Sequence, residues 1–337
     1  SPEEEAITQQ QQLALDVYKN TFNEVLSSPN FKTTLQSVKQ ALFDRDFARA
    51  FGDEEYLRVY AARYSPTRAL CYCSVLTGIR DHLDPISSSP AATEPAQAPQ
   101  EDGPTPPPVP VLNHLSIGGG AAETVAYGAF LNAAQSSSPL GGTITLLDSA
   151  AWGPVVSSLS STLTALPEPK HESSSSNGPE EATPFIPASL FSANFIQQDA
   201  FTLNSTNLPP LLGTSPLLIS LMFTLNELFT SGGIGKTTRF LLDLTSSVPI
   251  GSLLLVIDSP GSYSETTLGK EAKRYPMQWL LDRIMLGTQK DPVAGRRWKK
   301  LESHDSVWCR LSETLEYPIR LENMRYQMHL YKAEDAS

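Results

Sequence analysis

The chain is short of cysteine, short of cations and without a long apolar run, and each shortage removes a class of protein. Three cysteines, Cys71, Cys73 and Cys309, can neither pair off completely nor supply a four-thiolate zinc site. A disulfide scaffold and a structural zinc module are therefore not expected, no metal is expected, and the usage fits a reducing, intracellular compartment. Lys and Arg total 25 against 36 Asp and Glu, a net charge of -11. That balance argues against broad, non-specific binding to nucleic acid, whose phosphates are held mostly by cations, while leaving room for a local basic patch. No stretch approaches the roughly 18 uncharged apolar residues that a membrane span requires. The most apolar run, Leu211 to Phe229, is broken by Gly213, Pro216, Asn226 and Glu227. Ser1 to Gln12 is acidic and glutamine-rich rather than basic and then apolar, so no secretory signal is expected.

What is present suffices for one large domain and an appendage: 337 residues, 40% of them hydrophobic. Leu13, Leu15, Val17, Phe22, Val25 and Leu26, then Leu35, Val38, Leu42, Phe43 and Phe47, recur at helical intervals. Residues 1–85 read as a helical domain, in which Glu54 to Leu76 keeps that spacing and Pro66 predicts a helix boundary. Its tyrosines, among them Tyr56, Tyr60 and Tyr64, and its arginines could reach a substrate or simply pack the helices onto the rest. Residues 86–110 are rich in Ser, Pro, Ala, Glu and Gln and read as a flexible linker, and about 167–187 as a tolerated insertion.

Residues 111–333 alternate short apolar runs with helical ones, which predicts a largely parallel sheet covered by helices. Candidate strands are Val111 to Ile117, Thr143 to Leu147, Ala193 to Gln197, Leu217 to Phe223, Leu253 to Ile257, Ser306 to Leu311 and Arg325 to Tyr331. Candidate helices are Ala121 to Gln135, Trp152 to Leu163, Lys236 to Ser246 and Tyr275 to Gly287.

The most informative segment is Val111 to Glu123, a buried-type strand that runs into Gly118-Gly119-Gly120 and then a helix. Glycines let the backbone approach a ligand, and a helix start presents free N–H groups to it. The next strand ends in Asp148, where a carboxylate can accept both hydroxyl hydrogens of a ribose. A dinucleotide fingerprint fits less well, because Glu123 stands where a further glycine is required and Asp148 lies farther on than roughly 20 residues. The plainer alternative is that the glycines serve tight packing and that Asp148 and Asp199 cap helices.

In this strand, in its G-x-G turn and in the acid closing strand two, the chain resembles the class I S-adenosylmethionine-dependent methyltransferases. Phe195 to Phe201, with Asp199, resembles the family's third motif, an acid beside the adenine. The resemblance implies an α/β, Rossmann-like seven-stranded sheet with helices on both faces, preceded by the helical part, and S-adenosylmethionine as cofactor. It implies cofactor contacts at Ile117, Gly118, Gly119, Gly120, Asp148, Ser149, Asp199, Ala200 and Phe223. It departs at Ser116, where the family commonly carries an acid. A further resemblance, to fungal ribosomal-RNA methyltransferases acting on uridine N3, rests on Tyr60 to Ala69, Ile117 to Glu123, Phe223 to Leu228, Asp258 to Ser264 and Leu321 to Tyr331. That family implies RNA, specifically large-subunit rRNA or a pre-ribosome, as partner, and a nucleolar location.

Methyl transfer is an in-line displacement, so alignment dominates and a base is needed only where the acceptor carries a proton. Asn226, Glu227 and Asp258, at the ends of strands four and five, are the candidate catalytic residues. Asn226 and Glu227 could equally start a helix, and Asp258 could be a turn residue. Lys270 to Lys300 mixes cations with Tyr275, Trp279 and Trp298, a composition that can stack unpaired RNA bases or else cover a solvated face. Ser259, Tyr263, Arg274, Arg296, Arg297 and Lys299 are the candidate substrate contacts. Ser231 to Thr238 imitates a phosphate-binding loop but lacks its first glycine and does not leave a strand, so nucleotide hydrolysis is disfavoured and a loop before the helix at Lys236 is expected. A small-molecule methyltransferase and a non-catalytic binding protein on the same fold are the alternatives to an RNA enzyme.

Overall fold

The computed structural model describes residues 1–89, 108–167, 182–261, 263–268 and 271–337, and the side chains of residues 263–273 fall outside the description. Most of the expected linker and most of the expected insertion lie outside these residues. The described part opens with α1 (Pro2–Thr21), α2 (Asn23–Ser27), α3 (Phe31–Phe43), α4 (Phe47–Ala50), α5 (Glu54–Gly78) and α6 (Arg80–Leu83). Then follow β1 (Val111–Ile117), α7 (Ala121–Ala134), β2 (Gly141–Asp148), α8 (Gly153–Thr164), β3 (Phe191–Gln197), α9 (Leu208–Leu212), β4 (Leu218–Met222), α10 (Leu225–Ser247) and β5 (Leu253–Asp258). A hairpin of β6 (Tyr263–Leu268) and β7 (Glu271–Pro276) precedes α11 (Met277–Gly287), β8 (Arg296–Cys309) and β9 (Met324–Asp335).

Seven of these strands form one sheet in the order β3-β2-β1-β4-β5-β9-β8. Parallel pairing joins β3, β2, β1, β4 and β5, while β9 runs antiparallel to both of its neighbours. The near-continuous apolar runs of β4 and β5 are fully buried, as strands covered on both faces must be. The order reverses between β1 and β4, so the chain leaves their carboxyl ends toward opposite faces, to α7 and to α10, and a crevice opens there. One core lies on the face covered by α5, α7 and α8, and a second packs α10 and α11 against the other face.

The helical part is joined to this sheet by burial. α7 is buried almost all round, because α5 covers the side that the sheet does not. The Tyr18 hydroxyl of α1 donates to the Ala121 carbonyl at 2.9 Å, tying the start of α7 to the first helix. Ser88 and Val111 exchange two backbone hydrogen bonds, of 3.1 and 2.9 Å, which pins the two ends of the intervening segment together.

Four expectations need correction. Pro66 does not end a helix: α5 passes through it, and the Ala62 carbonyl that a proline leaves without its helical donor is taken by the Tyr317 hydroxyl at 2.6 Å. The glycine segment before Lys236 is no loop, since α10 begins at Leu225 and breaks only at Gly233, whose φ of 79° is left-handed. The phosphate-loop imitation is therefore the middle of a kinked helix. The stretch after β5, where no strand is expected, builds the β6–β7 hairpin, and β8 begins at Arg296 rather than Ser306, so the basic run 296–300 is strand paired to β9.

Candidate active site

β1 delivers the chain into a turn that only glycines fit. Gly118 and Gly119 have φ of 80° and 111°. A Cβ on Gly118 would overlap the Thr224 side chain, one on Gly119 the Glu123 carboxylate, and one on Gly120 the Trp152 ring. The turn thus lies flush against its surroundings and leaves its open side to a cleft of about 770 Å³ at the carboxyl ends of the parallel strands. Asp148, closing β2, also lines it. Its two oxygens accept the Gly119 N–H at 2.7 Å and the Ala150 N–H at 2.8 Å. Burial pushes this carboxyl above its ordinary range, while those two N–H groups pull it back down. Each carboxylate oxygen has room for a second donor, so both hydroxyls of a ribose can be held at the same group.

On the other side of β1, Phe223 follows β4 with a left-handed φ of 53°. The Asn226 N–H, in the first turn of α10, donates to Asp258 at 3.2 Å, and the Ser259 N–H donates to its other oxygen at 2.9 Å. Asp258 therefore ties the end of β5 to the start of α10. Burial raises its carboxyl to about 6, against the opposing pull of these two N–H groups. Glu227 faces the cleft from the same turn, in an ion pair of 3.0 Å with Arg45 of the helical part.

The cleft thus brings together Gly118, Gly119, Gly120, Asp148, Ser149, Phe223, Asn226, Glu227, Asp258 and Ser259. Others it leaves apart. Ile117 is wholly buried in the second core, and Ala200 packs against that same core. Asp199 is exposed and turns its carboxylate onto the Phe201 N–H at 2.9 Å, while Gln197 reaches the cleft instead. Arg296, Arg297 and Lys299 pair with the last residues of β9 and lie level with the start of β5, at the edge of the sheet opposite the cleft. There Arg296 donates to the Val248 carbonyl at 3.1 Å and Arg297 pairs with Glu334 at 3.7 Å. Arg274 is exposed on β7, and the side chain of Tyr263 is outside the described residues.

Sequence reasoning left open whether the helical part reaches the cleft, and it forms the wall opposite the sheet. Leu42, Phe47, Phe51, Tyr60, Ser65 and Arg68 line it from the helical part, facing Trp152 and Glu123. Tyr60 packs on Phe51 edge to face at 5.1 Å and on Trp152 at 5.9 Å. Arg68 donates to the Tyr60 hydroxyl at 2.9 Å and lies over the Phe223 ring at 4.9 Å. The signal available was the clustering of tyrosine and arginine on one helix, which packing explains equally well.

A parallel sheet reversing at β1 and β4, with a glycine turn at the reversal and a carboxylate closing the neighbouring strand, defines a class I methyltransferase site. Residues 18–332 match a family model described as "Putative SAM-dependent methyltransferase". The chain belongs to this family, and it is an S-adenosylmethionine-dependent methyltransferase. It is 31% identical over 342 residues to the 25S rRNA (uridine(2843)-N(3))-methyltransferase of Saccharomyces cerevisiae, covering 94% of this chain and 84% of that one. Solved structures that are similar include the 16S rRNA (adenine(1408)-N(1))-methyltransferase of Catenulisporales acidiphilia, at a TM-score of 0.37 and 12% identity, with 67% of this chain and 89% of that chain covered. Another is a SAM-dependent methyltransferase of Methanosarcina mazei, at a TM-score of 0.33 and 11% identity, with 65% and 91% covered.

The residues present fit this cofactor: the glycine turn leaves space for it, and Asp148 keeps acceptor capacity toward the cleft. When bound, it supplies an electrophilic methyl group on a sulfonium. The chain's share is to align an acceptor with that methyl, keep water out and take a proton where the acceptor has one. No metal-ligand cluster occurs among the described residues, and no described helix is long and apolar enough to cross a membrane.

Proposed function

We propose that this chain methylates ribosomal RNA at N3 of a uridine, acting in the nucleolus on large-subunit rRNA or a pre-ribosome. The observation that carries this reading is the span of the similarity to the yeast 25S rRNA enzyme, which takes in the helical wall, the cofactor cleft and the closing strands together. A protein sharing only the cofactor fold would not be expected to keep the appended helices as well. The chemistry agrees. Uracil N3 carries a proton that must leave as the methyl arrives, and Asp258 lines the cleft with its carboxyl raised to about 6, a stronger base than an ordinary aspartate. The surface offers places for unpaired bases. Trp279 is exposed and stacks on Tyr275 at 5.2 Å, with Arg283 over its face at 5.3 Å, and the exposed Trp308 lies between Arg310 and Arg325. Purified protein given isotopically labelled S-adenosylmethionine and unmodified large-subunit rRNA should place label in 3-methyluridine after nuclease digestion. Label in another nucleoside, or none in RNA, would sink this reading.

A further inference from the structure

The methionine end of S-adenosylmethionine carries a carboxylate and an ammonium, and in a part-buried cleft each requires a partner of opposite charge. Among the described residues that line the cleft, the only cation is Arg68. It stands within ion-pair distance of no carboxylate among the described residues, and its hydrogen-bond partner is the neutral Tyr60 hydroxyl. A part-buried guanidinium that lines a cleft and spends one donor on a neutral hydroxyl can receive an anion. Its position supplies the direction. Arg68 lies over Phe223, which follows β4, whereas Asp148 closes β2 on the far side of β1. A ligand whose ribose is held at Asp148 and which crosses the glycine turn therefore points its other end at Arg68.

Four carboxylates line the cleft. Asp148 is the candidate ribose acceptor, Asp258 is the candidate base for the acceptor's proton, and Glu227 is paired with Arg45. Glu123 remains, buried in the first turn of α7 with its carboxylate against Gly119 and accepting the Gly120 N–H at 2.8 Å. Ser116 on β1 offers no alternative, because it is wholly buried and its hydroxyl reaches no partner.

We propose that Arg68 and Glu123 hold the carboxylate and the ammonium of the cofactor's methionine moiety, so that the helical part completes the cofactor site. Tyr60 is a positioning residue that holds the Arg68 guanidinium over Phe223. The test compares two ligands on the full chain by calorimetric titration: S-adenosylhomocysteine, which has the amino-acid end, and 5′-methylthioadenosine, which lacks it. Arg68→Met should weaken S-adenosylhomocysteine about tenfold to a hundredfold, the cost of charged hydrogen bonds, and leave 5′-methylthioadenosine within about twofold. Glu123→Gln should do the same, and Arg68→Lys should restore part of the loss. Unchanged binding of both ligands by Arg68→Met, or an equal loss of both, would overturn the assignment. Wild-type protein that binds 5′-methylthioadenosine as tightly as S-adenosylhomocysteine would overturn it as well, whereas wild-type protein that binds neither would overturn the cofactor reading from which it starts.

Discussion

Replacing Glu123 by Gln should change how stability depends on pH, with a sign and window that follow from its burial. The side chain is 5% exposed, and burial pushes its carboxyl from 4.5 up to about 7, against the pull of backbone N–H groups and Arg68. The folded state therefore binds this proton more tightly than the unfolded chain. Below about pH 4.5 both states are protonated and the group contributes no difference. As pH rises toward 7 the unfolded chain ionises first, so the folded state loses relative stability, and the penalty is complete above about 7. At 1.36 kcal/mol per pKa unit, the shift from 4.5 to about 7 corresponds to about 3 kcal/mol. Glutamine can still accept the Gly120 N–H but carries no such penalty. In urea denaturation without cofactor, Glu123→Gln should therefore gain up to about 3 kcal/mol over wild type between pH 5 and pH 8.5. Parallel pH profiles for the two proteins would refute the reasoning, and the native Glu123 would then be ionised at little cost.

Asp148→Ala removes the acceptor proposed for the ribose and should weaken S-adenosylmethionine by about 1 to 3 kcal/mol in calorimetric titration, more than it changes turnover at saturation. Asp258→Asn should lower kcat on RNA by at least about a hundredfold with cofactor affinity nearly unchanged; if Asp258 is the base, wild-type kcat should also rise with pH through about 6 and then level off. Tyr317→Phe leaves the Ala62 carbonyl without a donor at the proline in α5 and should cost about 1 to 3 kcal/mol of stability, read as a lowered denaturation midpoint.

The sheet was legible wherever a strand is covered on both faces. β1, β4 and β5 announce themselves as unbroken apolar runs, and the glycine turn is legible because only glycine tolerates the φ of Gly118 beside Thr224. Asp148 could be found from its place at a strand end. Asp199 could not be placed, because whether an acid after β3 faces the cleft or caps its own turn is settled by backbone geometry that composition does not carry. The basic run at Arg296 illustrates a related limit. Charge clustering marks a face without saying which edge of the sheet bears it, and that depends on the register of β8 against β9.

Tyr60 and Arg68, whose helix the sequence left between substrate contact and packing, act across long separations. Arg68 meets Phe223 through tertiary packing alone, after the chain has left the helical part, crossed to β1 and built four strands. Tyr18 holds the start of α7, Ser88 and Val111 close the segment between the parts, and Arg45 reaches Glu227 across the cleft mouth. A helical wall that merely covered apolar surface could tolerate small shifts, since burial is non-directional. A wall that presents a guanidinium to a charged ligand, the role proposed for Arg68, cannot, because a charge-assisted bond weakens as its distance and angle depart from the optimum. Among the polar ties between the helices and the rest, those of Tyr18 at the start of α7 and of Arg45 at the cleft mouth lie where such alignment is needed.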